Sequence, residues 1–166
     1  MKALVAEGEG SRLELKETTG QRTEAGKALC AFLNRDGGVV VFGVTDKGDV
    51  RGQQVSDKTK RELAEAFGRF EPAADIETEW VEVGGGRVAV VCRVGKGNGR
   101  PYVYEGRAYK RVQSATVAMP QEEYDRMLAE RRGFQSDWEL QVNPGISMED
   151  LDGEEIRRTA RMGVEA

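Results

Sequence analysis

The apolar run at residues 39–44, Val-Val-Val-Phe-Gly-Val, constrains the fold of this chain more than any other feature. A short run that is apolar on both faces is typical of an interior strand covered on both sides. Residues 34–38, Asn-Arg-Asp-Gly-Gly, precede it and end a helix, because asparagine and glycine accept left-handed backbone conformations at little cost. Asp46 follows the strand, and functional side chains often lie on loops held by such a scaffold. The stretch therefore predicts a helix, a tight turn, a buried strand and a presented carboxylate.

Hydrophobic periodicity predicts the elements around this strand. The predicted elements are helices at 22–33, 60–70 and 120–132 and strands at 11–16, 39–44, 76–83, 87–94, 102–104 and 107–112. Thr59 and Glu62 fit a capping box at the start of the second helix. The glycines at 84–86 and the Glu105-Gly106 pair predict two hairpins.

The absence of histidine excludes Ser-His-Asp and Cys-His catalysis and any His-ligated zinc site. Acid–base chemistry would then depend on Asp, Glu, Lys, Tyr or water. Cys30 and Cys92 lie in apolar surroundings, which favours two reduced core thiols over a disulfide or a metal pair. The longest apolar run is far shorter than the roughly 20 residues of a membrane helix. The N-terminus has no apolar signal segment, so we expect a cytoplasmic protein.

Charge divides the chain into two parts. Residues 1–118 hold 19 Lys and Arg against 17 Asp and Glu, a net charge of +2. Residues 119–166 hold 6 against 12, a net charge of −6. We therefore expect a domain at 1–132 that carries a basic face and an acidic tail at 133–166. The tail, with a short helix from Ser147 through Ile156, packs on the domain or opens a second domain.

Three carboxylates are candidates for a metal site. Glu14 lies on the first strand, Glu9 just before it, and Asp46 after the buried strand. If the two strands are neighbours, the three acids converge, and such oxygen ligands suit Mg²⁺ or Mn²⁺. Lys16 shares a strand face with Glu14 and is placed to hold a phosphate or stabilise negative charge. The alternative is that all four are ordinary surface residues.

A second candidate region mixes cations with tyrosines. Its members are Lys96, Arg100, Tyr102, Tyr104, Arg107, Tyr109, Lys110 and Arg111. Bases stack on tyrosine while cations meet phosphates in grooves that bind nucleic acid with little sequence preference. Strand alternation places Arg107, Tyr109 and Arg111 on one face. The alternative is an edge hairpin protected from aggregation by its charge.

These pieces, in this order, resemble the Schlafen/AlbA-like domain family over roughly residues 7–130. Four segments and Glu9 carry the resemblance. They are Leu-Glu-Leu-Lys at 13–16, Cys-Ala-Phe-Leu-Asn-Arg-Asp-Gly-Gly at 30–38, Phe-Gly-Val-Thr-Asp-Lys-Gly at 42–48, and Pro-Tyr-Val-Tyr at 101–104 with Gly-Arg-Ala-Tyr-Lys-Arg-Val-Gln-Ser at 106–114. The tail looks like the start of the segment that follows this domain in longer members.

The resemblance implies an α+β fold, with helices packed on a mixed or antiparallel sheet, and the binding of RNA or DNA. Animal Schlafen proteins include metal-dependent endoribonucleases that cut tRNA and rRNA with two glutamates, an aspartate and a nearby lysine. Glu9, Glu14 and Lys16 match that pattern in spacing, and Asp46 is the match for the aspartate across a different intervening length. The animal enzymes use two copies of this unit, so a nuclease with one copy is expected to be a homodimer.

Three functions stay open at this point. The first is a Mg²⁺- or Mn²⁺-dependent endoribonuclease that acts on structured RNA such as tRNA, with catalytic Glu9, Glu14, Lys16 and Asp46. The second is a non-catalytic RNA- or DNA-binding module of a larger regulator or of an ATPase- or helicase-like protein. The third is an interaction or dimerisation module without a nucleic-acid role, which the net negative charge favours.

Overall fold

The computed structural model describes Val5 and residues 8–140, and a four-stranded sheet forms its centre. The strands are β1 (Leu13–Lys16), β2 (Gly38–Phe42), β4 (Glu77–Gly84) and β5 (Arg87–Val94). Across the sheet they follow the order β1, β2, β5, β4. β1 and β2 are parallel, whereas β5 is antiparallel to both of its neighbours. This mixed sheet with helices packed on it confirms the expected α+β class.

Helix α1 spans Arg22–Leu33, the range that the sequence predicts, and connects β1 to β2. Parallel strands need such a crossover because no tight turn can join them. Leu29 and Phe32 on this helix are fully buried in the main core. Lys16 pairs with Phe42 in register, so the carboxyl ends of β1 and β2 meet at the same edge of the sheet.

β2 ends at Phe42, two positions before the predicted end at residue 44. Gly43 has a φ of 88°, a conformation that favours glycine. A Cβ on Gly43 would lie 2.8 Å from the Cα of Gly52, so the close approach of the two segments also requires glycine. Asp46 then lies in a turn in which the N–H of Gly48 donates to the carbonyl of Thr45 at 2.8 Å.

Helix α2 spans Asp57–Phe67 and begins before the predicted residue 60. Its N-cap is Ser56, whose Oγ accepts the N–H of Thr59 at 3.2 Å, while Thr59 Oγ1 accepts the N–H of Ser56 at 3.2 Å. The predicted capping box of Thr59 with Glu62 is therefore wrong, since Thr59 is the third helical residue. Phe70 also lies outside the helix, in the short strand β3 (Phe70–Glu71).

The strand pairing after β5 differs most from the prediction. The β4–β5 hairpin is confirmed, but β6 (Val103–Tyr104) pairs with β3 and β7 (Tyr109–Val112) pairs with β8 (Ala115–Ala118). The turn at Glu105-Gly106 forms only one bridge, between Tyr104 and Arg107, so the predicted hairpin of 102–104 with 107–112 is wrong beyond it. The sequence did not predict β8 because alanine has low strand propensity.

The sheet separates two clusters of buried side chains. Val40, Phe42 and Val90 face α1 and belong to the larger cluster. Leu15 and Val41 point to the opposite face and belong to a smaller one. Both faces of β2 are therefore covered, as its uniformly apolar sequence predicts.

Helix α3 spans Gln121–Leu140 and extends beyond the predicted end at residue 132. Backbone contacts divide the chain into two units, Met1–Arg131 and Arg132–Ala166. The predicted short helix from Ser147 lies outside the described residues. Within the part of the chain that the structure describes, no helix is both long and apolar enough to span a membrane.

Candidate functional site

Three of the four candidate catalytic residues lie close together at β1. Glu14 and Lys16 lie on the strand's α1-facing side, and Lys16 Nζ donates to Glu14 Oε1 at 2.5 Å. Glu9 precedes the strand, and its Oε1 lies 3.8 Å from Lys16 Nζ. The same Glu9 oxygen accepts the N–H of Leu15 at 3.1 Å, which fixes Glu9 beside the strand. The structure therefore brings Glu9, Glu14 and Lys16 into one ion-pair cluster.

Arg111 on β7 completes this cluster. Its side chain is 0% exposed, and Nη1 lies 2.7 Å from Glu14 Oε2. Nη1 also donates to Thr116 Oγ1 at 2.6 Å, and Nη2 donates to the Gly10 carbonyl at 2.8 Å. The guanidinium carbon lies 5.2 Å from the centre of the Phe32 ring, a cation–π distance. Arg111 thus joins the β7–β8 pair to β1 and has no surface available for a phosphate. We call the largely buried Glu14, Lys16 and Arg111, together with the exposed Glu9 beside them, the buried-charge cluster.

The buried-charge cluster is electrically balanced, with two carboxylates facing two cations. Glu14 Oε1 lies 2.5 Å from Lys16 Nζ, and Oε2 lies 2.7 Å from Arg111 Nη1, although the angles at Oε2 do not meet those of a hydrogen bond. Mg²⁺ and Mn²⁺ need carboxylate oxygens as ligands. Both oxygens of Glu14 already contact cations, so this arrangement of side chains does not fit such an ion.

Asp46 is not part of the buried-charge cluster. It is exposed in its turn and lines an open cavity of about 440 Å³ together with Gly8 and Asp49. Among Val5 and residues 8–140, no group of three or more His, Cys, Asp or Glu side chains is placed to hold a metal ion. The structure therefore does not bring Glu9, Glu14 and Asp46 into one ligand set.

Two of the candidate nucleic-acid-binding tyrosines lie in the core. Tyr102 is 8% exposed and Tyr104 is 0% exposed. The ring of Tyr104 packs 4.9 Å from that of Phe70, and a Cβ on Gly26 of α1 would lie 2.2 Å from it. A base cannot stack on a ring covered in this way, so neither tyrosine belongs to an interface in this structure.

The buried side chain of Asn34 holds the segment that carries Tyr102 and Tyr109 against the core. Its Oδ1 accepts the N–H of Tyr102 at 2.7 Å, and its Nδ2 donates to the carbonyls of Tyr102 at 2.9 Å and Tyr109 at 3.1 Å. Buried polar groups need such partners. The sequence identified Asn34 only as a helix-ending residue, whereas the structure shows that it joins the end of α1 to Tyr102, just before β6, and to Tyr109 of β7.

The other candidate nucleic-acid-binding residues differ in accessibility. Lys96 and Arg107 are exposed, and Arg100 is half-buried. Lys110 pairs with Glu123 at 2.5 Å. Tyr109 is half-buried and packs against the main core, on the same inward face of β7 as Arg111. The predicted alternation along β7 therefore holds, but the face that carries Tyr109 and Arg111 points inward.

Lys96 lies in a cationic region that the sequence analysis did not identify. The segment that carries it packs on the end of α1, where the N–H of Gly97 donates to the Leu33 carbonyl at 2.9 Å. A Cβ on Gly37 would lie 2.5 Å from the Val94 carbonyl, so the two turns touch. Four cations surround this end of the sheet. They are Arg12, Arg35, Arg93 and Lys96, which we call the basic rim.

Charge in the basic rim is only partly compensated. Arg35 lies 3.6 Å from Asp36, and Arg93 lies 2.9 Å from Glu79. Arg12 donates to the backbone carbonyl of Asp36 at 2.9 Å. Within the described residues, neither Arg12 nor Lys96 has a carboxylate within ion-pair distance. Arg12, Arg35 and the Arg93–Lys96 segment are far apart in sequence, and the pairing of β2 with both β1 and β5 brings them to one end of the sheet.

Comparison with known proteins gives one family. The family model described as "Schlafen, AlbA_2" matches residues 9–120. No curated protein matches. Among solved structures, the DIP2311 protein from Corynebacterium diphtheriae is similar, with 16% sequence identity and a TM-score of 0.50. The similarity covers 75% of this chain and 24% of that chain, and it supports the fold alone.

Proposed function

The chain belongs to the Schlafen, AlbA_2 family, and we propose that it binds RNA or DNA through the basic rim. The family match suggests a nucleic-acid-related function. The observation that carries the proposal is that exposed Arg12 and Lys96 have no carboxylate partner among the described residues. Cations of this kind attract phosphates and release counterions on binding.

The experiment measures fluorescence anisotropy with labelled tRNA and with duplex DNA over a series of salt concentrations. An Arg35→Gln/Lys96→Gln variant is compared with Lys47→Gln/Arg61→Gln, which removes the same charge from exposed positions outside the rim. We expect weaker binding and a shallower salt dependence only in the rim variant. Equal binding by the two variants contradicts the rim as the interface, and absence of binding by the wild type contradicts the function.

Metal-dependent endoribonuclease activity is the second candidate function. The convergence of Glu9, Glu14 and Lys16 supports it, because these three residues match the family's catalytic pattern in spacing. The ion pairs of Glu14 oppose it, since a cation would have to displace Lys16 or Arg111. A catalytic form therefore requires a rearrangement of these side chains.

Cleavage of tRNA in Mn²⁺ and in EDTA tests this candidate. Exposed Glu9 and Asp46 can be changed to Gln and Asn with little effect on folding, whereas Glu14→Ala would leave buried Arg111 unpaired. We expect Mn²⁺-dependent cleavage to be lost in Glu9→Gln and Asp46→Asn and kept in Glu65→Gln, an exposed control on α2. If cleavage is absent or persists in EDTA, the metal-dependent activity is ruled out.

A homodimer and a cytoplasmic location complete the proposal. The homodimer rests on the family, whose animal nucleases use two copies of this unit. The cytoplasmic location rests on the RNA or DNA partner. Light scattering during size-exclusion chromatography, with and without tRNA, measures the mass of the particle. A monomer in both conditions contradicts the dimer but leaves the binding function standing.

A further inference from the structure

An open cavity lies at the amino ends of β1 and β2, next to the basic rim. We propose that it takes one unstacked nucleotide of a single-stranded RNA or DNA, and this inference rests on the proposed function. Its volume is about 520 Å³, within the roughly 300–1,000 Å³ of small-molecule sites. Asp46 does not line this cavity, although Gly8 lines both it and the cavity beside Asp46.

The lining combines the two kinds of surface that a nucleotide needs. Val39, which is half-buried, provides an apolar side chain against which a base can lie. Arg12 and Arg93 provide guanidinium groups, which bind phosphate and also stack on the flat face of a base.

The two arginines keep hydrogen-bonding capacity for a ligand. Arg12 Nη2 donates to the Asp36 carbonyl, and Arg93 Nη1 donates to Glu79 Oε2, each at 2.9 Å. A guanidinium group has five N–H donors. One hydrogen bond on each group orients it and leaves the others free of partners among the described residues.

Glycines form part of the cavity wall and allow close approach to the backbone. Gly8, Gly10 and Gly38 all line it. A Cβ on Gly10 would meet no atom within 4 Å, and the φ of Gly10 is in the ordinary range. A larger side chain at Gly10 can therefore occupy space at the cavity without backbone strain or a clash.

A cavity of this kind favours a single strand over a duplex. Bases within a duplex are stacked and paired, so none can enter without being flipped out. A single strand presents its bases freely, while its phosphates follow cationic groups on the surface. The basic rim would then provide general attraction, and the cavity would provide the preference for an unpaired nucleotide.

The test uses Gly10→Leu, which adds a bulky side chain at the cavity wall and keeps every charge of the basic rim. Gly68→Leu, at the exposed end of α2, is the matched control, since a Cβ there makes only ordinary contacts of 3.5 Å. Probes are a labelled octanucleotide of uridines and a hairpin duplex. We expect Gly10→Leu to weaken octanucleotide binding about tenfold or more, the loss of roughly one stacked base, and to leave duplex binding unchanged. Gly68→Leu should match the wild type with both probes.

Three results overturn the inference. They are wild-type binding of the octanucleotide by Gly10→Leu, equal loss for both probes, and a wild type that binds only the duplex. The last result leaves the proposed function standing, whereas a wild type that binds neither probe contradicts the proposed function itself. As a control for folding, Gly10→Leu should unfold at the same midpoint temperature as the wild type. Unchanged octanucleotide affinity in an Arg12→Gln/Arg93→Gln variant would also contradict the proposal that these two arginines bind the nucleotide's phosphate.

Discussion

The buried-charge cluster and the basic rim use similar side chains for different purposes. In the cluster, each oxygen of Glu14 contacts a cation, and Arg111 is 0% exposed at the side chain. In the rim, Arg12 and Lys96 are exposed and lack a carboxylate partner among the described residues. A cation that lies near other cations in sequence is therefore fully available to a ligand only when it is exposed and has no carboxylate partner.

The largest expected effect is in the buried-charge cluster. Arg111→Met removes a buried cation and leaves the Glu14 carboxylate without one of its two partners. Removing one partner of a buried ion pair costs about 3–5 kcal/mol, and Arg111 also loses its bonds to Gly10 and Thr116. Urea denaturation followed by circular dichroism measures the loss. Arg35→Met, in the basic rim, is the control and should change stability by about 0.5 kcal/mol or less.

A loss below about 1 kcal/mol for Arg111→Met would show that the cluster contributes little to folding. Glu14 would then be free to act as a ligand, which would reopen the metal site. The stability of Arg111→Met therefore distinguishes a structural role of the buried-charge cluster from a catalytic one.

The next effect concerns Asn34, whose polar side chain is also buried. Asn34→Leu leaves the N–H of Tyr102 without its 2.7 Å acceptor and two carbonyls without a donor. An unsatisfied buried group costs about 1–3 kcal/mol, and we expect a loss of that size in urea denaturation. Asn98→Leu, at an exposed position, is the control and should change stability by about 0.5 kcal/mol or less, so an equal fall in the two variants would contradict this account.

The basic rim should show the opposite pattern, with small effects on stability and clear effects on binding. Lys96→Gln and Arg12→Gln should each change the free energy of unfolding by about 0.5 kcal/mol or less. Each should reduce the slope of log affinity against log salt by about 0.7 for a single strand, the value for one phosphate contact. A rim variant that unfolds more easily but keeps its salt slope would reverse the comparison between the two regions.

The sequence predicted elements that depend on local pattern. The bounds of α1 were correct because its apolar spacing is regular from Ala25 to Leu33, and the β4–β5 hairpin was correct because three glycines separate two alternating strands. The N-cap of α2 was missed because Ser56 and Thr59 both have the right chemistry for a cap. Pairings between distant segments, such as β6 with β3, depend on packing that local pattern does not encode.

The proximity of the candidate site residues was predicted correctly where they lie close together in sequence. Glu9, Glu14 and Lys16 are close in sequence and are close in the structure. Arg111 and Tyr104 were placed on the surface because cations and tyrosines alternate there, yet their burial depends on Phe32 and Gly26 of a distant helix. The basic rim was missed because its four cations come from three separate segments, with Arg93 and Lys96 together at the end of β5.

The smallest expected effect concerns the two buried thiols, which are free, as the sequence predicts. Burial raises the pKa of Cys30 and of Cys92 from 9.0 to about 12. In the folded protein both thiols stay protonated at pH 9, so a thiol reagent should react with them only after urea unfolds the chain.

The same pKa shifts predict a pH dependence of stability. Because the thiols ionise at a lower pH in the unfolded chain, their contribution to the free energy of unfolding is complete below pH 9 and declines between pH 9 and about 12. Labelling at pH 9 with and without urea checks the first statement, and urea midpoints of the wild type and Cys92→Ala at pH 8 and pH 10 check the second. Rapid labelling of the folded protein would contradict this account and show that the core around Cys30 and Cys92 opens transiently, so that burial alone does not separate protected regions from accessible ones.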